Sequence, residues 1–67
     1  MTDNPRAFTF YWRTGKREVF QGRDPADALN RAGYGGGAIR ALDFYTEGNN
    51  TDYEWVEETR EWRTKPT

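Results

Sequence analysis

Neither cysteine nor histidine occurs in this chain of 67 residues, so no disulfide and no Cys/His zinc site can reinforce its fold. A chain of this size buries only about 60% of the surface that its unfolded form exposes. Its stability then rests on side-chain packing alone, or on a partner. Val19, Leu29, Ile39, Leu42 and Val56 are the only large aliphatic residues, against four Phe, four Tyr and three Trp. Aromatic rings must therefore supply most of the core. Few aliphatics combined with a high net charge would predict disorder, but the net charge is −1, and a small folded, aromatic-rich domain is the expectation.

The first ordered segment is signalled by alternation. Phe8, Phe10 and Trp12 alternate with Thr9, Tyr11 and Arg13, the period of a strand with one face buried. Thr14-Gly15 turns the chain and Arg17 to Gln21 returns it. A two-residue loop would set Phe10 opposite Val19, and a three-residue loop with a bulge at Gly15 would set it opposite Phe20; the sequence does not choose between these registers.

Asp24-Pro25-Ala26-Asp27 predicts a helix start. Asp24 can accept orphan amides as N-cap, Pro25 suits the first helical position, and Asp27 suits the positive end of the helix. Gly33 is the expected stop, which leaves a thin apolar stripe of Ala28, Leu29 and Ala32. Residues Ala38 to Tyr45 read either as a helix, with Ile39, Leu42 and Tyr45 on one side, or as a strand with Leu42 and Phe44 alternating against Asp43 and Tyr45. The strand is the preferred reading. Beyond Glu47-Gly48-Asn49-Asn50, a hairpin with Glu58-Thr59 at its tip pairs Trp55 with Trp62, Glu54 with Arg63 and Glu57 with Arg60. One register thus yields an aromatic pair and two opposite-charge pairs.

The expected fold is α+β, a small antiparallel sheet of four to five strands with one helix packed on one face, in the order ββαβββ. Residues 6–63 form the single domain, with frayed tails at 1–5 and 64–67. No apolar run is long enough for a signal-peptide core or a membrane span. The expected compartment is the cytoplasm, with no membrane partner.

Two motif-like stretches invite chemistry. Gly33-Tyr34-Gly35-Gly36-Gly37-Ala38 matches a relaxed dinucleotide fingerprint, but that motif needs a strand before it and a helix after it. Here a helix precedes it, and a helix C-cap leading into a tight connection is the better account. Asp43, Gly48 and Glu54 fall at positions 1, 6 and 12 of a calcium-loop spacing. Tyr45 at position 3 and the lack of flanking helices favour a polar hairpin loop instead. With no His, Cys or Ser, the usual nucleophiles and the commonest general base are missing, so no catalytic residue, metal site or cofactor is expected.

What remains is surplus aromatic surface beside charge. One short helix with a small stripe covers only one face of a sheet, so aromatic area is expected to stay exposed. The candidate partner-binding residues are Tyr11, Trp12, Arg13, Arg17, Trp55, Glu57, Glu58 and Trp62. Charge is divided along the chain: Met1 to Arg40 holds seven Lys/Arg against four Asp/Glu, and Ala41 to Thr67 three against seven. Acid around Trp55 and Trp62 suits a protein partner with a basic surface. The alternative is single-stranded nucleic acid stacked on Tyr11 and Trp12, with Arg13, Lys16 and Arg17 on phosphates; the whole-chain charge ranks it second. Uncovered sheet area also predicts a weak homodimer. Against all of these stands the plainer account, in which the aromatics are simply core.

The segment from Asp24 to Tyr45, "DPADALNRAGYGGGAIRALDFY", resembles small accessory proteins encoded by bacteriophages and prophages. The resemblance covers about a third of the chain and supplies no active-site residues. It implies a protein of viral origin that acts in a bacterial cytoplasm by binding a host protein.

Overall fold

The computed structural model describes residues 5–65. In chain order the elements are β1 (Arg6–Trp12), β2 (Arg17–Gly22), α1 (Pro25–Arg31), a 3-10 segment (Gly36–Ala41), β3 (Leu42–Glu47), β4 (Tyr53–Val56) and β5 (Glu61–Thr64). The class is α+β with five strands, but they do not form one sheet. β2, β1 and β3 make an antiparallel three-stranded sheet with β1 in the middle, and β4 and β5 make a separate two-stranded one. Thr64 and Lys65 were expected in a frayed tail. Thr64 instead closes β5 opposite Tyr53, and the Lys65 amide donates to the Asp52 carbonyl at 2.8 Å.

β1 is buried on both faces, which its alternation did not predict. Phe8, Phe10 and Trp12 join Ala28, Leu29 and Leu42 in the core beneath α1, with Phe20, Tyr34 and Ala38 at its margin. On the opposite face Thr9 and Tyr11 are fully buried as well. The β4–β5 hairpin supplies that second cover: the Tyr11 ring lies edge-on to Trp62 at 4.8 Å and to Tyr53 at 5.2 Å. Part of the aromatic area expected to stay uncovered is thus occupied within the chain. Among the described residues, the exposed large apolar side chains are Val19, Ile39 and Tyr45.

Two hydroxyls explain why the hairpin folds back there. Thr9 Oγ1 donates to the Gly48 carbonyl at 2.6 Å and accepts from the Asn50 amide at 2.8 Å. Tyr11 Oη hydrogen-bonds to Asn50 through both its carbonyl and its side chain. The turn after β3 is therefore pinned to the buried polar atoms of the central strand, which satisfies those atoms and aims the chain across the sheet.

Register departs from expectation at three places. In the first hairpin Phe8 faces Phe20 and Phe10 faces Glu18, neither of the anticipated pairings. The loop holds three residues, Arg13 to Gly15, because Trp12 N–H reaches the Lys16 carbonyl and Gly15 takes a positive φ. In β3 the partners step from Tyr11↔Phe44 to Trp12↔Leu42, leaving Asp43 as a bulge. Leu42 and Phe44, read as one face of a regular strand, are sent to opposite faces. Leu42 enters the helix-side core, while Phe44 stacks on Tyr11 at 4.5 Å. Finally, the expected strand from Ala38 begins only at Leu42, since Gly36–Ala41 is a 3-10 turn of helix.

The helix follows its signals closely. Asp24 Oδ1 accepts from the Asp27 amide at 2.7 Å, and Asp27 in turn accepts from the Arg23 amide at 2.9 Å. At the other end the Gly33 amide donates to Asn30 and the Tyr34 amide to Leu29, each at 3.0 Å, with Gly33 at φ 93°. This is a Schellman closure, and only a residue tolerant of positive φ fits at its centre. Ala32, expected in the apolar stripe, is exposed; Ala28 and Leu29 alone are buried. The helix can still lie close because a Cβ at Gly22 would stand 2.5 Å from the Ala28 nitrogen.

Candidate interaction surface

The predicted binding residues divide between core and surface. Tyr11 and Trp12 are 0% and 5% exposed, so neither offers a ring face on which a base could stack. Arg13 is exposed in the β1–β2 turn, where its amide holds the Ala41 carbonyl at 2.8 Å, and Arg17 is exposed opposite Tyr11 at the start of β2. Trp55 and Trp62 are half-buried, and Glu57 and Glu58 are exposed in the β4–β5 turn.

The two hairpins, proposed from sequence as rival surfaces, adjoin. A Cβ at Gly15 would lie 2.8 Å from the Trp55 ring, which places the first turn against the second hairpin. Trp55 and Trp62 face each other across β4 and β5, as their register predicted, edge to face at 5.5 Å. Each indole is tied down: Trp55 Nε1 donates to Glu57 at 2.7 Å and Trp62 Nε1 to the Trp12 carbonyl at 2.9 Å. The rings are thus fixed supports of the surface rather than free side chains.

The charge pairs foreseen in this hairpin do not form. Glu54 does sit opposite Arg63. Arg63 nevertheless turns along its own strand to Glu61, with Nη2 at 2.7 Å and Nε at 2.8 Å. Those hydrogen bonds hold the Glu61 carboxyl below the usual glutamate range. Arg60 adopts a left-handed φ of 54° in the turn, and among the described residues no ion pair joins it to Glu57. Asp52, Glu54, Glu57 and Glu58 are all exposed, and among the described residues none has an ion-pair partner. Around the adjoining turn, Arg13, Arg17 and Arg40 are likewise without an ion-pair partner among the described residues. The acidic and basic groups thus form neighbouring, unneutralised patches.

On the helix side, a cavity of about 290 Å³ is lined by Ala26, Leu29, Asn30, Tyr34, Gly35, Gly36 and Ile39. A second, of about 180 Å³, reaches the β1–β2 turn. Tyr34 belongs to both. Its ring lies 5.1 Å from that of Trp12, and its hydroxyl donates to Glu18 at 2.7 Å, a bond that raises the tyrosine above its ordinary pKa. The Schellman closure sets this position, so the glycine run works as a joint that lays Tyr34 on the core. The smaller cavity was not legible in the sequence, because its walls come from two segments, residues 12–18 and 34–41, that meet only in the fold. Asp43 and Glu54 of the calcium-like spacing lie in different sheets, and among the described residues no three acidic side chains gather as a metal site. Also among the described residues, no helix is long and apolar enough to cross a membrane.

Compared with protein-family models, curated proteins and solved structures, the chain matches none.

Proposed function

We propose that the protein is a small non-catalytic binding module whose acidic β4–β5 hairpin engages a basic surface on a protein partner, in the manner of a phage-type accessory protein or inhibitor acting on a host protein. The observation that carries this reading is the set of exposed carboxylates at Asp52, Glu54, Glu57 and Glu58, displayed on a hairpin that Trp62 and Tyr53 anchor to the core. Carboxylates fixed on a rigid support lose little freedom on binding, and their summed field steers a basic surface toward them. The single-stranded nucleic-acid alternative retains Arg13, Lys16 and Arg17 on the surface, but the burial of Tyr11 and Trp12 weighs against it.

The test is affinity capture from a bacterial lysate with mass spectrometry, using the wild type beside a Glu57→Lys, Glu58→Lys double variant. Both positions lie in an exposed turn, but Glu57 also accepts from the Trp55 indole, so a Glu54→Lys, Glu58→Lys variant, which leaves that bond in place, is run beside it and both are compared with the wild type by circular dichroism. A protein retained by the wild type, eluted by salt and lost in both variants is the expected result. An identical set of captured proteins from all three baits overturns the proposal. Saturable, salt-sensitive binding of a labelled oligonucleotide that is lost in Arg17→Glu would promote the nucleic-acid reading instead.

A further inference from the structure

We propose that the protein binds a second copy of itself through the end of the molecule where its two hairpin turns meet. The product is a two-fold dimer in which the acidic tip of each β4–β5 hairpin lies against the basic β1–β2 turn of the other copy. Tyr53 packs on Tyr11, and a Cβ at Gly15 would meet the Trp55 ring at 2.8 Å. β4 therefore runs out across the first turn, and the tip that follows it, with Glu57 and Glu58, reaches past that turn. Arg13 and Arg17 flank the first turn, and Arg40 adjoins it through the bond from the Arg13 amide to the Ala41 carbonyl. Within one chain the two charge sets stay apart. Trp55 Nε1 holds Glu57 and Trp62 Nε1 holds the Trp12 carbonyl, which fixes the hairpin in place. Among the described residues no ion pair joins one set to the other.

The presence of both signs on one surface specifies the occupant. A patch of one sign fits any surface of the other, whereas acid and base side by side are complementary to their own image under a two-fold rotation, and each contact is then made twice. Arg60 offsets one carboxylate of the set Asp52, Glu54, Glu57 and Glu58. Asp43, the bulge residue of β3, offsets one arginine of the other set. Each patch keeps its sign. The whole chain carries a net charge of −1, so two copies meet little long-range repulsion and the local pattern decides how they approach. All these groups are exposed, which makes the association weak and sensitive to salt. The surface differs from the sheet area considered from the sequence. The inference does not rest on the partner proposed above, because it also uses the arginines, which that reading leaves idle.

Sedimentation velocity of the full chain over a concentration series, in about 20 mM and about 500 mM salt, is the test. In low salt the dimer should be half-formed at a concentration on the order of 0.5 mM, and in high salt the chain should be monomeric. Glu54→Lys with Glu58→Lys makes the surface wholly basic and spares the bond between Glu57 and Trp55. Arg13→Glu with Arg40→Glu makes it wholly acidic. Either pair should weaken the association about tenfold. All four substitutions together invert the pattern at the wild-type net charge and should restore the dimer to within about twofold of the wild type. The four side chains are exposed, and circular dichroism compares the fold of each variant with that of the wild type. A wild type that stays monomeric to about 1 mM in low salt overturns the proposal. So does a dimer that persists in high salt, a double variant that associates as the wild type does, or a fourfold variant that folds and stays monomeric.

Discussion

The Nε1–H of Trp62 donates to the main-chain carbonyl of Trp12 at 2.9 Å, across 50 positions of sequence. That carbonyl also accepts from the Gly15 amide at 3.0 Å. One atom thus closes the first hairpin turn and docks the last hairpin, and both candidate surfaces depend on it. Replacing Trp62 separates the two roles. A domain of this length holds roughly 3–10 kcal/mol of stability. Trp62→Phe keeps the edge-on contact with Tyr11 and loses the hydrogen bond, costing about 1 kcal/mol. Trp62→Ala removes the ring and should cost about 3 kcal/mol. Urea unfolding followed by circular dichroism measures both, and equal losses would show that the indole N–H carries the docking.

Thr9 is the buried polar residue that holds the turn after β3. Thr9→Val has nearly the same shape but leaves the Gly48 carbonyl and the Asn50 amide unpaired, and should cost about 2–4 kcal/mol. Thr9→Ser keeps the hydroxyl and should cost about 1 kcal/mol for the lost methyl. The same denaturation series decides it, and a Val variant as stable as the Ser variant would mean that water replaces the Thr9 bonds.

The glycines differ in what they permit. Gly22→Ala forces a Cβ against the main chain of Ala28, with 2.5 Å to its nitrogen and 2.7 Å to its Cα, and should cost about 1–3 kcal/mol. Gly37 has nothing within 4 Å of such an atom. Gly37→Ala should stabilise by about 0.4–1 kcal/mol by restricting the unfolded chain. Thermal melting of both variants is the check. A destabilised Gly37→Ala would show that this stretch needs glycine for more than its place in the connection.

Asp27 links the helix start to acid stability. The Arg23 amide hydrogen bond, followed by the nearby Arg31 and Arg23 guanidiniums, holds its carboxyl below the usual aspartate range. A carboxyl lowered by folding stabilises the native state above its unfolded value of about 3.9, and that contribution is lost as pH falls through the lower folded value. Asp27→Asn should therefore lower stability at neutral pH and converge with the wild type in stronger acid. Denaturation at a series of pH values tests it; a difference that persists unchanged to the acid end would assign the effect to geometry alone.

Alkali probes the two cores separately. Burial raises the Tyr11 hydroxyl, and the bond to Glu18 raises that of Tyr34, both above the ordinary tyrosine value. Groups raised by folding stabilise below their unfolded value, about 10, and lose that contribution as pH rises through the folded one. Tyrosinate absorbance should include a late component that Tyr11→Phe and Tyr34→Phe each reduce. A titration complete at the ordinary value would mean that neither hydroxyl is held as described.

Much of the local structure was legible because its causes are local. Asp24, Pro25 and Asp27 start the helix and Gly33 ends it through groups within a few residues of one another. The pairing of Trp55 with Trp62 followed from one tip position. What the sequence could not show depended on segments far apart in the chain. The pattern Phe8-Thr9-Phe10-Tyr11-Trp12 alternates polar character only weakly, and a strand covered on one face or on both reads alike until the position of the β4–β5 hairpin is known. That position is set by Thr9 and Tyr11 binding the Gly48–Asn50 turn, a contact across about 40 positions. The Asp43 bulge was hidden for the same reason, since a shift of one residue in register is defined only against the partner strand. The charge pairs at Glu54 and Glu57 failed because Glu61 on the same strand takes Arg63 and because Arg60 itself adopts a left-handed turn conformation. Sequence alone determined the order of the helix and strands, the capping of the helix and the aromatic nature of the core; tertiary structure decided where β3 begins and which aromatics remain at the surface, because exposure depends on what packs above each ring.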